Sequence, residues 1–314
     1  MPQQLACRVA SVVCESDGFG VHGKGRRSTH FDIIDALDNY DLHNHSTLSD
    51  GLLSPTELIE LAARNGVDAI ALTDHDTTDG LEEAATAAGH AGVVFVPGVE
   101  ISVSWGDTTL HVVGLRVDPS AKSLAEGLEA IRTGRFERAE RIAEGLAKLG
   151  FEGTFAGAYA LAENKSMLGR THFARYLTQV GVVKDIQAAF DKYLATGKPA
   201  YVSYRWASLE DAVRWIRESG GVAVLAHPGR YKLKPMMRDE MLAGFKRHGG
   251  EAIEVVTGSH RREEFATWQR LALENGFLAS RGADYHGPGE SPAEPGTLPH
   301  LHASLTPVWS HWAH

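Results

Sequence analysis

Between residues 39 and 51 the chain reads NYDLHNHSTLSDG, which places two histidines and two aspartates within one short stretch. His43 and His45 stand two apart in what reads as a short strand, so their side chains point the same way and can hold one ion together. Asp50 follows in a Ser-Asp-Gly turn. Asp74, His75 and Asp76 end a second apolar strand, Glu100 ends a third, His111 lies in a fourth, His227 precedes Pro228, and Asp284 with His286 repeats the one-residue skip. Imidazoles and carboxylates without a thiolate suit manganese, iron or zinc better than calcium. Several such cations side by side lower the pKa of a shared water and act as Lewis acids. No serine or cysteine with an organised base competes as a nucleophile.

Alternating strands and helices must position these groups. Ser54, Pro55 and Glu57 form a capping box with proline at the first helical position, Leu58 and Leu61 give the inner stripe, and Gly66 ends that helix. VDAIALTDHD, VVFVPGVE, LHVVGL, GGVAVLAHPGRY, EAIEVVTGSH and FLASRGADYHG repeat one grammar: a buried strand, then charged or imidazole side chains near its C-terminal end. Such strands between helices predict a parallel α/β architecture covered on both faces, with function gathered at the strand C-termini. Residues 118–200 interrupt the grammar. SLAEGLEAIRTGRFERAERIAEGLAKLG, RTHFARYLTQVG and IQAAFDKYLATG read as helices of an inserted subdomain, with Arg135, Arg138 and Arg141 on solvated helix surface.

The 314 residues, 43% hydrophobic, can bury one large core or two smaller ones. A net charge of −9 argues against a grip on long duplex nucleic acid, which needs a basic surface, while small or short anionic substrates remain accessible. Cys7 and Cys14 have neither disulfide nor zinc spacing. No apolar run approaches a membrane span, and Arg8 breaks the opening segment before a signal-peptide core forms, so a cytoplasmic protein without membrane contact is expected. No obligate protein partner is indicated. Residues 1–38, Gly-rich and basic, read as a flexible extension, and their G-x-G-x-x-G at Gly18, Gly20 and Gly23 lacks the helix a nucleotide loop requires.

DLHNHSTLSDG, TDHD, GVEIS, AHPGRY and ADYH resemble the motifs of the PHP (polymerase and histidinol phosphatase) family, and the resemblance covers most of residues 40–314. GRTHFARYL, GKPAYV, EAIEVVTGSH and YHGPGES are most similar to the branch of nucleoside 3′,5′-bisphosphate phosphatases, also described as 5′-to-3′ exoribonucleases. The resemblance implies a distorted seven-stranded β/α barrel over residues 39–117 and 201–314, holding three divalent ions with manganese favoured. Transferred onto this sequence, His43, His45, Glu100 and Asp284 would hold the first ion. Glu100 would bridge to a second held by His111 and His227, and Asp50, His75 and His286 would hold the third. His227, Asp284 and Glu100 would be the catalytic residues, with a metal-activated hydroxide attacking phosphorus and either His227 or a metal-bound water serving the leaving group. Asp41 and Asp74 would orient imidazoles or cap turns.

Outside that cluster, Arg170 and Arg230 are the candidates for gripping a second phosphate, because guanidinium forks match phosphate oxygens, with Ser166 and His172 assisting. The chain departs from the family's Gly-Arg-Pro-His at Thr171. The expected substrate is a small nucleotide or short RNA; another phosphomonoester such as histidinol phosphate, or a non-catalytic metal-binding module, are the alternatives. His300, His302, His311 and His314 are expected to be non-ligands. Trp206, Trp215, Trp268, Trp309 and Trp312 are expected to fill the core or docking seams and not to stack on bases, and Tyr231 is assignable either way.

Overall fold

A computed structural model describes residues 37–312. The Gly-rich extension with its G-x-G-x-x-G, both cysteines and His314 lie outside those residues. Seven strands follow one another around a nearly closed barrel: β1 (Tyr40–Asp41), β2 (Ala69–Leu72), β3 (Val94–Trp105), β4 (Thr108–Leu115), β6 (Val222–Leu225), β7 (Ala252–Thr257) and β8 (Leu278–Gly282). A short β5 (Ala207–Ser208) pairs with β3 off this path. Leu42 N–H donates to Arg281 O at 2.9 Å, and Asn44 bridges Tyr285, joining the last strand to the first.

The strands are not all parallel. β4 runs antiparallel to both β3 and β6, because only Gly106 and Asp107 separate it from β3 and so short a link can make only a hairpin. Gly106 supplies the positive φ of 56° that the turn needs. β3 also continues past Glu100, which therefore lies mid-strand opposite Val113 and not at a strand end.

Successive strand residues face opposite sides. Ala69 and Ala71 of β2 pack with Leu42, Val96, Val113, Val224 and Ala252, a set that fills the barrel and is closed by Val308. Ile70 and Leu72 of the same strand join the larger cluster beneath the outer helices. Helix α1 (Pro55–Arg64) begins as its sequence requires: Glu57 N–H donates to Ser54 Oγ at 3.2 Å and Ser54 N–H to Glu57 Oε2 at 2.9 Å. With α2 (Leu81–Ala91), α7 (Leu209–Glu218), α8 (Pro235–Arg247) and α9 (Arg262–Asn275) it covers the barrel.

After β4 the chain forms α3 (Lys122–Ala147), α4 (Thr154–Leu161), α5 (Arg170–Gln179) and α6 (Ile186–Ala189). These have an apolar cluster of their own, including Ile142, Leu146, Phe173, Leu177 and Leu194. Arg135 and Arg138 of α3 are buried, only Arg141 being exposed, so the expectation of a solvated arginine face holds at one position of three.

Candidate metal centre

Three backbone outliers mark the barrel mouth. Asp76, His227 and Asp284, each at or just after the end of a strand, have φ of 47°, 28° and 52°. Side chains other than glycine reach this region at a cost of roughly 1–3 kcal/mol each and persist only where surrounding contacts impose it. Here the contacts are polar and buried.

All nine residues proposed as ligands converge there. Oxygen and nitrogen atoms of His43, His45 and Asp284 lie within 4.8 Å of one another, and the same limit holds for His43, Glu100 and His227, for His75, Glu100 and His111, and for His45, Asp50, His75 and His286. The groups overlap more than the expected division: His45 joins the Asp50 set, and His75 joins Glu100 with His111. Glu100 is the hub, its Oε1 2.9 Å from His111 Nδ1 and from His227 Nε2, its Oε2 2.9 Å from His75 Nδ1 and 3.3 Å from His45 Nε2.

Burial alone would raise the carboxylate pKa values, but the surrounding imidazoles outweigh it and hold Glu100, Asp50 and Asp284 well below the usual range. Burial also lowers His45 and His227 to about 3, leaving neutral rings with a lone pair to give. Glu100 Oε2, Asp50 Oδ1, Asp284 Oδ1, His45 Nδ1 and His227 Nδ1 are buried without a hydrogen-bond partner. Buried polar atoms left so in a cluster of ligand-type groups fit divalent cations.

The surrounding groups were largely not anticipated. Glu254, an acid inside the apolar strand AIEVV, lies with Oε1 2.7 Å from His43 Nδ1 and accepts His227 N–H through Oε2 at 2.6 Å. Burial pushes its pKa up while His43 opposes; the same pairing, with Glu100 and Asp284, raises His43 well above 6.5 against its own burial. A proton on Nδ1 leaves His43 Nε2 facing Glu100 and Asp284. Asp76 accepts Ser102 N–H and Oγ–H at 2.7 and 2.8 Å and pairs with Arg135. An acid in an apolar strand was the readable signal for Glu254, since a buried charge requires a partner.

Asp41 and Asp74 touch no imidazole. Asp41 accepts the N–H groups of Ala283 and Gly296 and an amide hydrogen of Asn44, tying β1 to the chain around β8. Asp74 accepts Ser46 N–H, Ser46 Oγ–H and Ser49 Oγ–H, shaping the turn that presents Asp50. Both cap turns.

Beside the cluster opens a cleft of about 680 Å³, its mouth included, lined by Arg135, Arg138, Arg170 and Arg230. Arg138 Nε donates to Val202 O at 3.2 Å and Arg170 Nη1 to Leu194 O at 3.4 Å, bonds that neutralise neither guanidinium. Burial, then the nearby Arg170 and Arg135, lower Arg138 to about 9. Trp206 lines the cleft beneath the guanidinium carbons of Arg135 and Arg138, 4.9 and 5.2 Å from its ring centre, and is not merely core filling. Tyr231 donates to Ala226 O and accepts His111 N–H, holding β4 to the loop after β6. Ser166 and His172 do not line the cleft. Ser166 is exposed and donates to Asn164; His172 is buried and its Nδ1 accepts Gly169 N–H at the start of α5. His300 and His302 are exposed, away from the cluster.

Fold and site together define an α/β barrel whose mouth carries imidazole and carboxylate clusters able to hold metal ions. The chain belongs to the PHP domain family, whose pattern matches residues 41–223. It is 48% identical over 273 residues to a 3′,5′-nucleoside bisphosphate phosphatase of Chromobacterium violaceum, covering 87% of this chain and 96% of that protein. It is 38% identical over 270 residues to a 5′-3′ exoribonuclease of Haemophilus influenzae, covering 86% and 97%. A solved structure described as an amidohydrolase from Chromobacterium violaceum, with bound sulfate and no metal, superposes with a TM-score of 0.85 at 48% identity, covering 87% of this chain and 95% of that one.

Proposed function

We propose that the protein is a metal-dependent phosphoesterase that removes the 3′-phosphate of nucleoside 3′,5′-bisphosphates and trims short RNA from its 5′ end. The observation that supports this most is the adjacency of two unlike features: an anionic imidazole–carboxylate cluster and a cleft of four arginines without enough carboxylates to neutralise them. A molecule with two phosphates satisfies both at once. The relatives' activities point the same way.

Divalent cations, three with manganese favoured, would be held by His43, His45, Asp50, His75, Glu100, His111, His227, Asp284 and His286, and when bound they supply Lewis acidity towards phosphate oxygens and lower the pKa of water. Glu100, central to the cluster, has both oxygens turned towards different imidazoles and suits a bridging role. His227, kept neutral by burial, offers a lone pair and carries no imidazolium proton to give, so a ligand role suits it better than protonating the leaving group. Arg170, Arg138 and Arg230 would take the second phosphate, with Trp206 and Phe190 as the apolar walls of the cleft. Residues 118–200 would act as an insert whose helices wall the cleft between the two barrel segments. The cytoplasm as compartment belongs to this proposal; among the described residues no helix is long and apolar enough to cross a membrane.

Phosphate release from adenosine 3′,5′-bisphosphate with added Mn²⁺ is the test. Turnover abolished by a chelator is expected. No release, together with activity on histidinol phosphate, would refute the substrate assignment.

A further inference from the structure

Asp50 treats its two oxygens differently. Oδ1 is buried without a hydrogen-bond partner and faces His286 Nε2 at 3.4 Å, His75 Nε2 at 3.9 Å and His45 Nδ1 at 4.0 Å. Oδ2 accepts the hydroxyl hydrogen of Thr171, at 2.8 Å, from the first turn of α5. One turn on, Arg175 Nη2 donates to the Asp50 main-chain oxygen at 2.5 Å, while Nε and Nη2 hold Glu290 at 2.9 and 2.7 Å. The turn beneath is rigid: Gly51 N–H donates to Ser46 O at 2.8 Å, and a Cβ at Gly51 would stand 2.4 Å from His45 O. Main chain and one carboxylate oxygen are thus both fixed from a helix that lies outside the barrel sheet.

We propose that Thr171 and Arg175 are positioning residues that make Asp50 a one-oxygen ligand, aiming Oδ1 at the ion shared with His45, His75 and His286 and withholding Oδ2. The inference rests on the metal-centre reading above. A carboxylate free to turn about its last bond can offer either oxygen or both; a charge-assisted hydroxyl bond to one of them removes that freedom. The same division recurs at Asp284. Its Oδ2 accepts the Ser259 hydroxyl and lies 3.4 Å from Arg230 Nη1, while Oδ1, without a hydrogen-bond partner, faces His45 and His43 at 3.3 and 3.5 Å. Two carboxylates on different elements, each with one oxygen tied off and the other turned into the histidines, support a common device. It also couples α5 to the barrel mouth, so a shift of that helix would be felt first at the ion held through Asp50.

The test compares wild type, Thr171→Val, Thr171→Ser and Arg175→Gln. Each is stripped of metal, dialysed against a series of free Mn²⁺ concentrations, and analysed for bound manganese per chain by mass spectrometry, with melting temperature recorded at each point. Thr171→Val keeps the side-chain shape and loses the hydroxyl. It is expected to bind its weakest ion roughly 10- to 100-fold more weakly, the usual effect of removing a group that orients a ligand, so that it carries one ion fewer where wild type is saturated. Thr171→Ser should restore binding, and Arg175→Gln should show the same selective loss through the main chain. Equal stoichiometry and equal midpoints for wild type, Thr171→Val and Arg175→Gln would overturn the inference while leaving the metal centre standing. Wild type that takes up no manganese would overturn both.

Discussion

Changing Glu254 to glutamine should separate the centre from its support without altering shape. The carboxylate lies 2.7 Å from His43 Nδ1 and accepts the His227 N–H at 2.6 Å, and it is 1% exposed. Glutamine has one acceptor oxygen and one NH₂ group, so whichever way the amide turns, one of the two buried donors meets another donor. A buried donor left without its charged acceptor costs about 1.5–3 kcal/mol. At 1.36 kcal/mol per factor of ten, that is roughly 10- to 150-fold in whatever equilibrium depends on the geometry. The equilibrium concerned is ion binding, because His43 Nε2 faces the centre only while Nδ1 is engaged. The Mn²⁺ concentration giving half-maximal phosphate release, measured beside the Mn²⁺-dependent rise in melting temperature, should increase by that factor in Glu254→Gln. A variant that melts like wild type without metal and keeps the wild-type Mn²⁺ dependence would refute the role assigned to Glu254.

Arg135→Met should lower stability by about 3–5 kcal/mol in urea titration, because it strands the Asp76 carboxylate, fully buried and otherwise bonded only to Ser102; a loss under 1 kcal/mol would contradict that pairing. Arg138→Gln should raise KM for the bisphosphate about tenfold or more with kcat little changed, while stability holds or rises, since a buried guanidinium crowded by Arg170 and Arg135 is removed. Unchanged KM would take Arg138 out of the phosphate site. Burial, more than any charge, lowers His172 from 6.5 to about 4, so the neutral ring's contribution is fully present above pH 6.5 and is lost as pH falls towards 4, a change of roughly 3 kcal/mol. His172→Asn, which keeps an acceptor for Gly169 N–H, should show a correspondingly smaller loss of stability over that interval, and parallel curves would be the contrary result. Chelation should lower the melting temperature of wild type, by the equivalent of about 4 kcal/mol for each ion present at a thousand times its dissociation constant, and should leave Glu100→Ala unmoved.

Much of this molecule follows from local pattern. The alternation of apolar strands with capped helices, and acids and imidazoles placed where strands end, are short-range features, and they sufficed to indicate an α/β architecture with its chemistry at strand ends; the barrel, and which nine of those residues meet at its mouth, came from the family resemblance that the motifs carry. The antiparallel β4 was also recoverable, since only Gly106 and Asp107 stand between two strands. The arginine face was misread although its signal was present. Leu124, Leu128, Ile131, Arg135, Arg138, Ile142 and Leu146 follow one another at steps of three or four, so both arginines fall on the buried stripe of α3. Which imidazoles share an ion, what Glu254 and Asp76 hold, and that Thr171 reaches Asp50 are matters of distance between residues far apart in the chain. Sequence specifies side-chain type and local direction, because these depend on dihedral preference and on periodicity. It does not specify which oxygen of a carboxylate is tied off and which is free, because that is decided by whatever donor the folded backbone brings within 3 Å.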